Sequence, residues 1–400
     1  MRLKQLKLFF WVFIIGQLVV VAQNKTPQAN DTIGFSEANT EKVIALGSFL
    51  EQSIHENDVT SFLSKLNEDL FFERILSHNP TIDMKDSFVK GFLFGMKQSL
   101  DAFPDEIISE VANGAYYDFI SYRYDSDDGT YYALFRLYSS ETGMNYHDFR
   151  ICKSGDEFKF SDMYTYLTGE HFTQTLGRMM NYTLPEKKSS KKRDRQLSKD
   201  YKAIFKALMY NDSGKYTKAY DELNNLKSEV SKEKFLQILK VLIASNIDED
   251  KYLKSLEELM ATHFDDPTIA LNKIDYHIYK EEYFEAIQVI NQLQNETDDD
   301  FLNYLKACVA FEDQNYDLAL NMFQYTAENY VDFFDGQAGY LNTLVMMKNY
   351  DDAVTYLEKL VADGYDKPLV ISYIEEDDEY GNNILSEFAA STQFTDWKKK

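Results

Sequence analysis

Tyrosine followed three residues later by alanine recurs four times in the second half of this chain, as Tyr216/Ala219, Tyr283/Ala286, Tyr316/Ala319 and Tyr350/Ala353. Successive tyrosines stand 67, 33 and 34 residues apart. The first gap is a double period whose missing beat falls near Asp250, ahead of Leu253 and Leu256. A period of about 34 residues belongs to stacked helix–turn–helix units. No helix pair of that size buries its apolar stripe alone, so stacking must complete the core, leaving a concave surface. Turn residues punctuate the region where helices should stop and start: Asp212-Ser213-Gly214, Asp265-Asp266-Pro267, Asp298-Asp299-Asp300, Asp313-Gln314-Asn315 and Asp335-Gly336. Repeats are expected over 201–365, with a helical cap over 366–400 made polar by the acidic run at 375–379.

The first half is patterned differently. Over 40–103 the apolar spacing is helical, with stripes at Val43/Leu46/Phe49/Leu50, Phe62/Leu63/Leu66/Leu70 and Phe88/Phe92/Leu93/Met96. Four runs rich in aromatic and β-branched residues follow, at 116–124, 131–139, 144–152 and 157–164. Their short connectors carry Gly129, Gly143 and Gly155, which predicts a four-stranded antiparallel meander. A short helix over 171–180 closes an α+β domain spanning 40–184, in which helices cover one sheet face. The fold class expected is thus α+β followed by an all-α repeat array.

Residues 1–22 read as a secretory signal peptide. Arg2, Lys4 and Lys7 precede an apolar run from Leu8 to Ala22, with Val20 and Ala22 placed for cleavage before Gln23. An uncleaved anchor is the rival, although the run is shorter than the ~20 residues a span needs. Export to the periplasm, cell surface or medium follows, with no membrane span once the segment is removed. Losing three cations would take the formal charge from −24 to −27. So acidic a body repels phosphate backbones, which argues against a nucleic-acid partner. Residues 23–39 read as a disordered lead-in, and 185–200, with seven Lys/Arg against three Asp/Glu, as an exposed basic linker. A sharper reading makes that strip a dock for an acidic protein face or anionic lipid. Cys152 and Cys308 fall in different domains outside any CxxC pair, and are expected to be buried and unbridged.

The stretches GKYTKAYDEL (214–223), EEYFEAIQVI (281–290), QNYDLALNMF (314–323) and KNYDDAVTYL (348–357) resemble the tetratricopeptide repeat family. The resemblance covers about 200–365. Trp and Gly usual in the family's first helix are absent, while Ala207 and Ala307 keep its small position. It implies a groove lined from the first helix of each repeat, here Tyr201, Ile204, Phe235, Ile238, Leu271, Phe301, Tyr304 and Phe311. An aromatic, apolar groove fits a helix or extended peptide with hydrophobic anchors. The same residues could instead pack against neighbouring helices or against the amino-terminal domain. The family's carboxylate-clamping Lys, Arg and Asn are missing at these positions.

The sheet region carries polar and aromatic residues that could hold a ligand. By alternation Tyr146, Asp148 and Arg150 share one face of their strand, with Asn145, His147 and Phe149 on the other. His147 beside Arg136 or Asp162 would make an acid–base or ligand-anchoring site. The element order is similar to the nuclear-transport-factor-like α+β fold, which includes binders, enzymes and non-catalytic modules. Cross-strand pairing at a sheet surface accounts for the same residues. No HExxH, GxSxG, phosphate-loop or CxxC motif occurs, and the six histidines show no metal-ligand spacing. The expectation is therefore a non-enzymatic adaptor or scaffold protein of the cell envelope, without metal or cofactor. Its alternative is a small-molecule-binding or hydrolytic α+β domain presented by the repeats.

Overall fold

The computed structural model describes residues 31–79, 82–140, 142–183, 192–377 and 381–400, the backbone alone for 192–194. The expected signal peptide, residues 185–191 of the basic stretch and 378–379 of the acidic run lie outside the described residues. No described helix is long and apolar enough to cross a membrane. The chain divides into two compact units, passing from one to the other between Tyr276 and His277.

In the first unit, side-chain caps start the helices. Ser36, Asp58, Asn67 and Asp86 accept the first free backbone N–H groups of α1 (Glu37–His55), α2 (Val59–Ser64), α3 (Glu68–Ser77) and α4 (Ser87–Lys97). After α5 (Ala102–Ala112) come β1 (Tyr116–Asp125), β2 (Thr130–Ser139), β3 (Gly143–Ser154), β4 (Glu157–Thr165) and the two-residue β5 (Glu170–His171). All pair antiparallel in chain order, so the sheet has five strands where the sequence predicted four. The fifth is too short to show alternation. It pairs with Tyr164–Thr165 before α6 (Phe172–Thr183) begins. Phe62, Phe103, Phe135, Phe149 and Phe160 form the aromatic centre between helices and sheet.

Two expectations about segments are corrected. The lead-in is ordered from Asp31 onward: Ile33 is buried, its N–H donates to the Gly129 carbonyl at 2.8 Å, and Asp31 pairs with Arg74. The expected linker is helical from Lys192, where α7 (Lys192–Asp212) starts. Lysine and arginine are good helix formers, and Leu197, Tyr201, Ile204 and Leu208 give this segment an apolar stripe. Asp200 is buried and accepts from the backbone of Lys227 and Ser228 at 3.0 and 2.6 Å.

The helices of this unit share the sheet's core. α8 (Tyr216–Asn224), α9 (Lys234–Ser245) and α10 (Glu249–His263) follow α7, and Ile204, Tyr220, Phe235 and Leu239 belong to the cluster containing Phe149. Arg178 of α6 bridges Glu170 at 2.7 Å and Glu233 at 3.0 Å. Gly169, at φ +63°, lies against the Thr268 backbone so closely that an added Cβ would come within 2.5 Å of its carbonyl.

α11 (Ala270–Tyr279) crosses the unit boundary. The second unit continues with α12 (Tyr283–Thr297), α13 (Leu302–Glu312), α14 (Tyr316–Asn329), α15 (Phe334–Met346) and α16 (Tyr350–Ala362), then α17 (Lys367–Glu375), α18 (Ser386–Ala389) and α19 (Thr392–Lys399). A helix begins at each of the four repeat tyrosines, and all four paired alanines are fully buried. Small residues allow the close helix approach: Gly339 of α15 sits against the Phe323 ring of α14. Val370, Ile374, Phe388, Phe394 and Trp397 build the terminal core. Cys152 and Cys308 are buried and unbridged, and burial pushes their thiols up to about 11 and about 12.

One turn recurs before each tyrosine. Gly214, Glu281, Gln314 and Lys348, each two residues upstream, adopt φ of +69°, +58°, +57° and +60°. The next N–H reaches five residues back in every case: Lys215 to Tyr210, Glu282 to His277, Asn315 to Ala310 and Asn349 to Leu344, at 2.7–2.9 Å. This is a Schellman closure, in which glycine avoids a side-chain penalty of about 1 kcal/mol. Only the first repeat uses glycine. Glu281→Gly, Gln314→Gly and Lys348→Gly are each expected to raise stability by about 0.5–1 kcal/mol, read from urea-unfolding midpoints. Unchanged or lower midpoints in all three would show that side-chain contacts outweigh backbone strain.

Candidate functional site

Strand register decides which polar residues meet. His147 stands opposite Phe135, whereas Arg136 stands opposite Tyr146, so His147 and Arg136 lie on different sheet faces. Arg136 is buried and pairs with Asp118 of β1 at 2.5 Å. Asp162 stands opposite Arg150, beside a bulge between Arg150 and Ile151. It accepts from the Met163 and Thr173 N–H groups and from the Thr173 hydroxyl, at 2.9, 3.2 and 2.7 Å. The trio Arg136, His147 and Asp162 is therefore not assembled into one pocket. Alternation within a strand was readable, but the relation between strands needs the register.

His147 is part of the hydrophobic interior. Asn145 Oδ1 accepts from the Tyr146 and Leu167 N–H groups, so its amide NH₂ faces His147 Nε2 at 3.2 Å. Nε2 then accepts, Nδ1 carries the hydrogen, and Nδ1 lies 3.4 Å from the Tyr117 hydroxyl. Burial lowers the imidazole pKa to about 4, making it neutral at ordinary pH. The nearby cavity, lined by Leu63, Phe71, Phe103, Phe160, Asp162 and Met163, has a volume of about 20 Å³, room for one water.

The other sheet face holds a charged network. Arg150 Nη1 reaches the Tyr132 hydroxyl at 2.5 Å and Asp128 at 2.7 Å, and Tyr132 itself donates to Asp128. Arg123 pairs with Asp148 at 2.9 Å and lies 3.9 Å above the Tyr132 ring. The Tyr132 hydrogen bond, then Arg150, hold the Asp128 carboxyl below its ordinary pKa, and burial raises the Tyr132 phenol. Asp31 adds a second acid near Arg150, at 3.6 Å. Asp128 does sit in the turn the sequence predicted, but its partners, like those of Asp31 in the expected lead-in, lie on other elements and were not legible. Each acid here faces a base, an arrangement that ties β1, β2 and β3 together on this face.

Of the eight predicted groove residues, Ile204, Phe235, Ile238, Leu271, Phe301 and Tyr304 are buried, while Tyr201 and Phe311 are half-buried. In the first unit Tyr201 packs on Tyr182 at 5.2 Å, and the Arg178 guanidinium lies 5.5 Å over Phe235. In the second unit Phe301 meets Tyr330 and Phe333 at 5.1 and 5.0 Å, Tyr304 meets Phe333 at 4.7 Å, and Phe311 meets Tyr316 at 5.4 Å. Helix packing thus uses most of these rings. Sequence reading missed Leu369, two repeat periods beyond Phe301 and 70% exposed. Phe284, on a second helix of the repeat pattern, is equally exposed.

Comparison with known families, characterised proteins and solved structures returns no match to this chain.

Proposed function

We propose that the chain is an exported, non-catalytic adaptor whose repeats are of the tetratricopeptide type and hold a protein or peptide in their groove. The observation carrying this reading is the shared unit: one left-handed closure, one tyrosine helix start and one buried alanine, found four times at one or two periods of about 34 residues and absent only from the α9–α10 pair among the described repeats. Within the second unit three such turns, at Glu281, Gln314 and Lys348, recur between helices, the local regularity from which repeat stacks build extended binding surfaces. Leu369, on the first helix of the expected cap and two repeat periods beyond Phe301, is 70% exposed and extends the line of groove positions toward a partner. An exposed leucine fits an anchor point for a hydrophobic side chain.

The test uses the full exported chain with a photoreactive residue at position 369 or at 284. Equal exposure makes the second a control for accidental collision. The expected result is one defined crosslinked protein from position 369, competed by unmodified chain, and none from position 284. Equal crosslinking at both positions, or none at 369, overturns the groove assignment.

A further inference from the structure

Glu51 and His55 are four residues apart on α1, so they share a helix face. That face meets β1 where its register shifts between Phe119 and Ser121. Asp118 lies there, and one ligating atom from each of the three residues falls within 4.8 Å of the other two. His55 is exposed, and both acids are half-buried.

Each side chain is also held at its second polar atom. His55 Nε2 lies 2.9 Å from the Tyr117 carbonyl, which can only accept, so Nε2 carries the hydrogen and Nδ1 keeps its lone pair. Glu51 Oε1 accepts the Phe119 N–H at 3.0 Å, and Asp118 Oδ2 accepts from Arg136 at 2.5 Å. Outer hydrogen bonds of this kind fix tautomer and orientation in metal sites. Two carboxylates at such separation repel, and among the described residues only Asp118 of the two is paired with a cation. We infer that Glu51, His55 and Asp118 bind a divalent transition-metal ion of the zinc class where α1 meets the edge strand.

An imidazole with two carboxylates suits zinc, nickel or cobalt rather than calcium, which takes about 6–8 oxygens, or magnesium, which keeps mostly water. Zinc bonds of about 2.0–2.2 Å place two ligand atoms of one ion about 3–4 Å apart, so donors within 4.8 Å of one another need only a small closure that leaves the outer hydrogen bonds in place. Three protein ligands leave at least one position for water or a partner's donor. Motif search along the chain missed the site because Asp118 comes from a strand that only folding brings to the helix.

Full exported chain stripped with chelator is titrated with Zn²⁺ by calorimetry and with Co²⁺ by visible absorption. Glu51→Gln keeps an acceptor for Phe119, and His55→Gln keeps a donor for Tyr117, so both preserve the structural bonds while removing a ligand. The expected result is one bound ion, a cobalt spectrum of low coordination number, and affinity at least about tenfold weaker in each variant. Metal-free unfolding midpoints should stay at the parent value. If one variant unfolds, the other decides. No zinc binding by the parent, or unchanged affinity in a folded variant, overturns the site.

Discussion

Phe149→Ala is expected to lower the unfolding free energy by about 3–5 kcal/mol, the range for a large aromatic removed from a rigid core. Phe149 is fully buried on β3, opposite Ala133 on one side and Met163 on the other. Its ring lies 5.0 Å from Phe160, 5.2 Å from Phe135, 6.0 Å from Phe62 and 6.3 Å from Phe103. These neighbours come from two other strands, α2 and α5, each tied down by its own backbone bonds. They cannot all move inward when the ring is removed, so a cavity remains and its lining loses contacts on one side. The measurement is the urea midpoint and slope, followed by far-UV circular dichroism. A loss below about 1 kcal/mol with unchanged slope would mean that the core collapses around the gap, contrary to the packing described.

Period and alternation were legible because they are local. The double gap between Tyr216 and Tyr283 correctly placed an additional helix near Asp250, now α10, and every repeat tyrosine opens a helix. The four long strands lie within two residues of their predicted ends, since short glycine turns bound them. What local pattern cannot carry is the identity of a distant partner. Asp31 looked unstructured because its bases, Arg74 and Arg150, lie 43 and 119 residues away. Residues 192–200 looked like a linker because their charge resembles one, although Asp200 is buried against the α8–α9 connection. The candidate site followed the same rule. Alternation separated His147 from Asp148, but only the β2–β3 register separated His147 from Arg136. Seven of the eight residues expected to line a groove lie on helices and Phe301 just ahead of α13, yet the sequence could not say whether a partner or the chain itself covers them.

Replacing His147 with Gln is expected to remove a pH-dependent contribution of about 3 kcal/mol. In the folded chain the imidazole resists protonation down to about pH 4, because burial disfavours the cation. Once protonated, Nε2 would also direct a hydrogen at the Asn145 NH₂, losing the bond it accepts there. An unfolded histidine protonates near about 6.5. Between pH 6.5 and 4 the unfolded chain therefore binds more protons than the folded one, so stability falls as the pH falls. Each pH unit is about 1.4 kcal/mol, and the loss levels off below pH 4 where both states are protonated. Asp275 acts in the opposite sense. Its carboxyl, raised to about 6 by burial and bonded to the Tyr252 hydroxyl at 2.7 Å, favours the folded state as acid is added. The parent's own curve therefore mixes opposed slopes over pH 4–6. Subtracting the variant's curve from the parent's cancels Asp275 and isolates the imidazole. Gln can still accept from Asn145, so the variant should fold. The difference, parent minus variant, should be flat above about pH 7 and decline through the window. A flat difference down to pH 4 would mean that water or a nearby acid reaches His147 in the folded state.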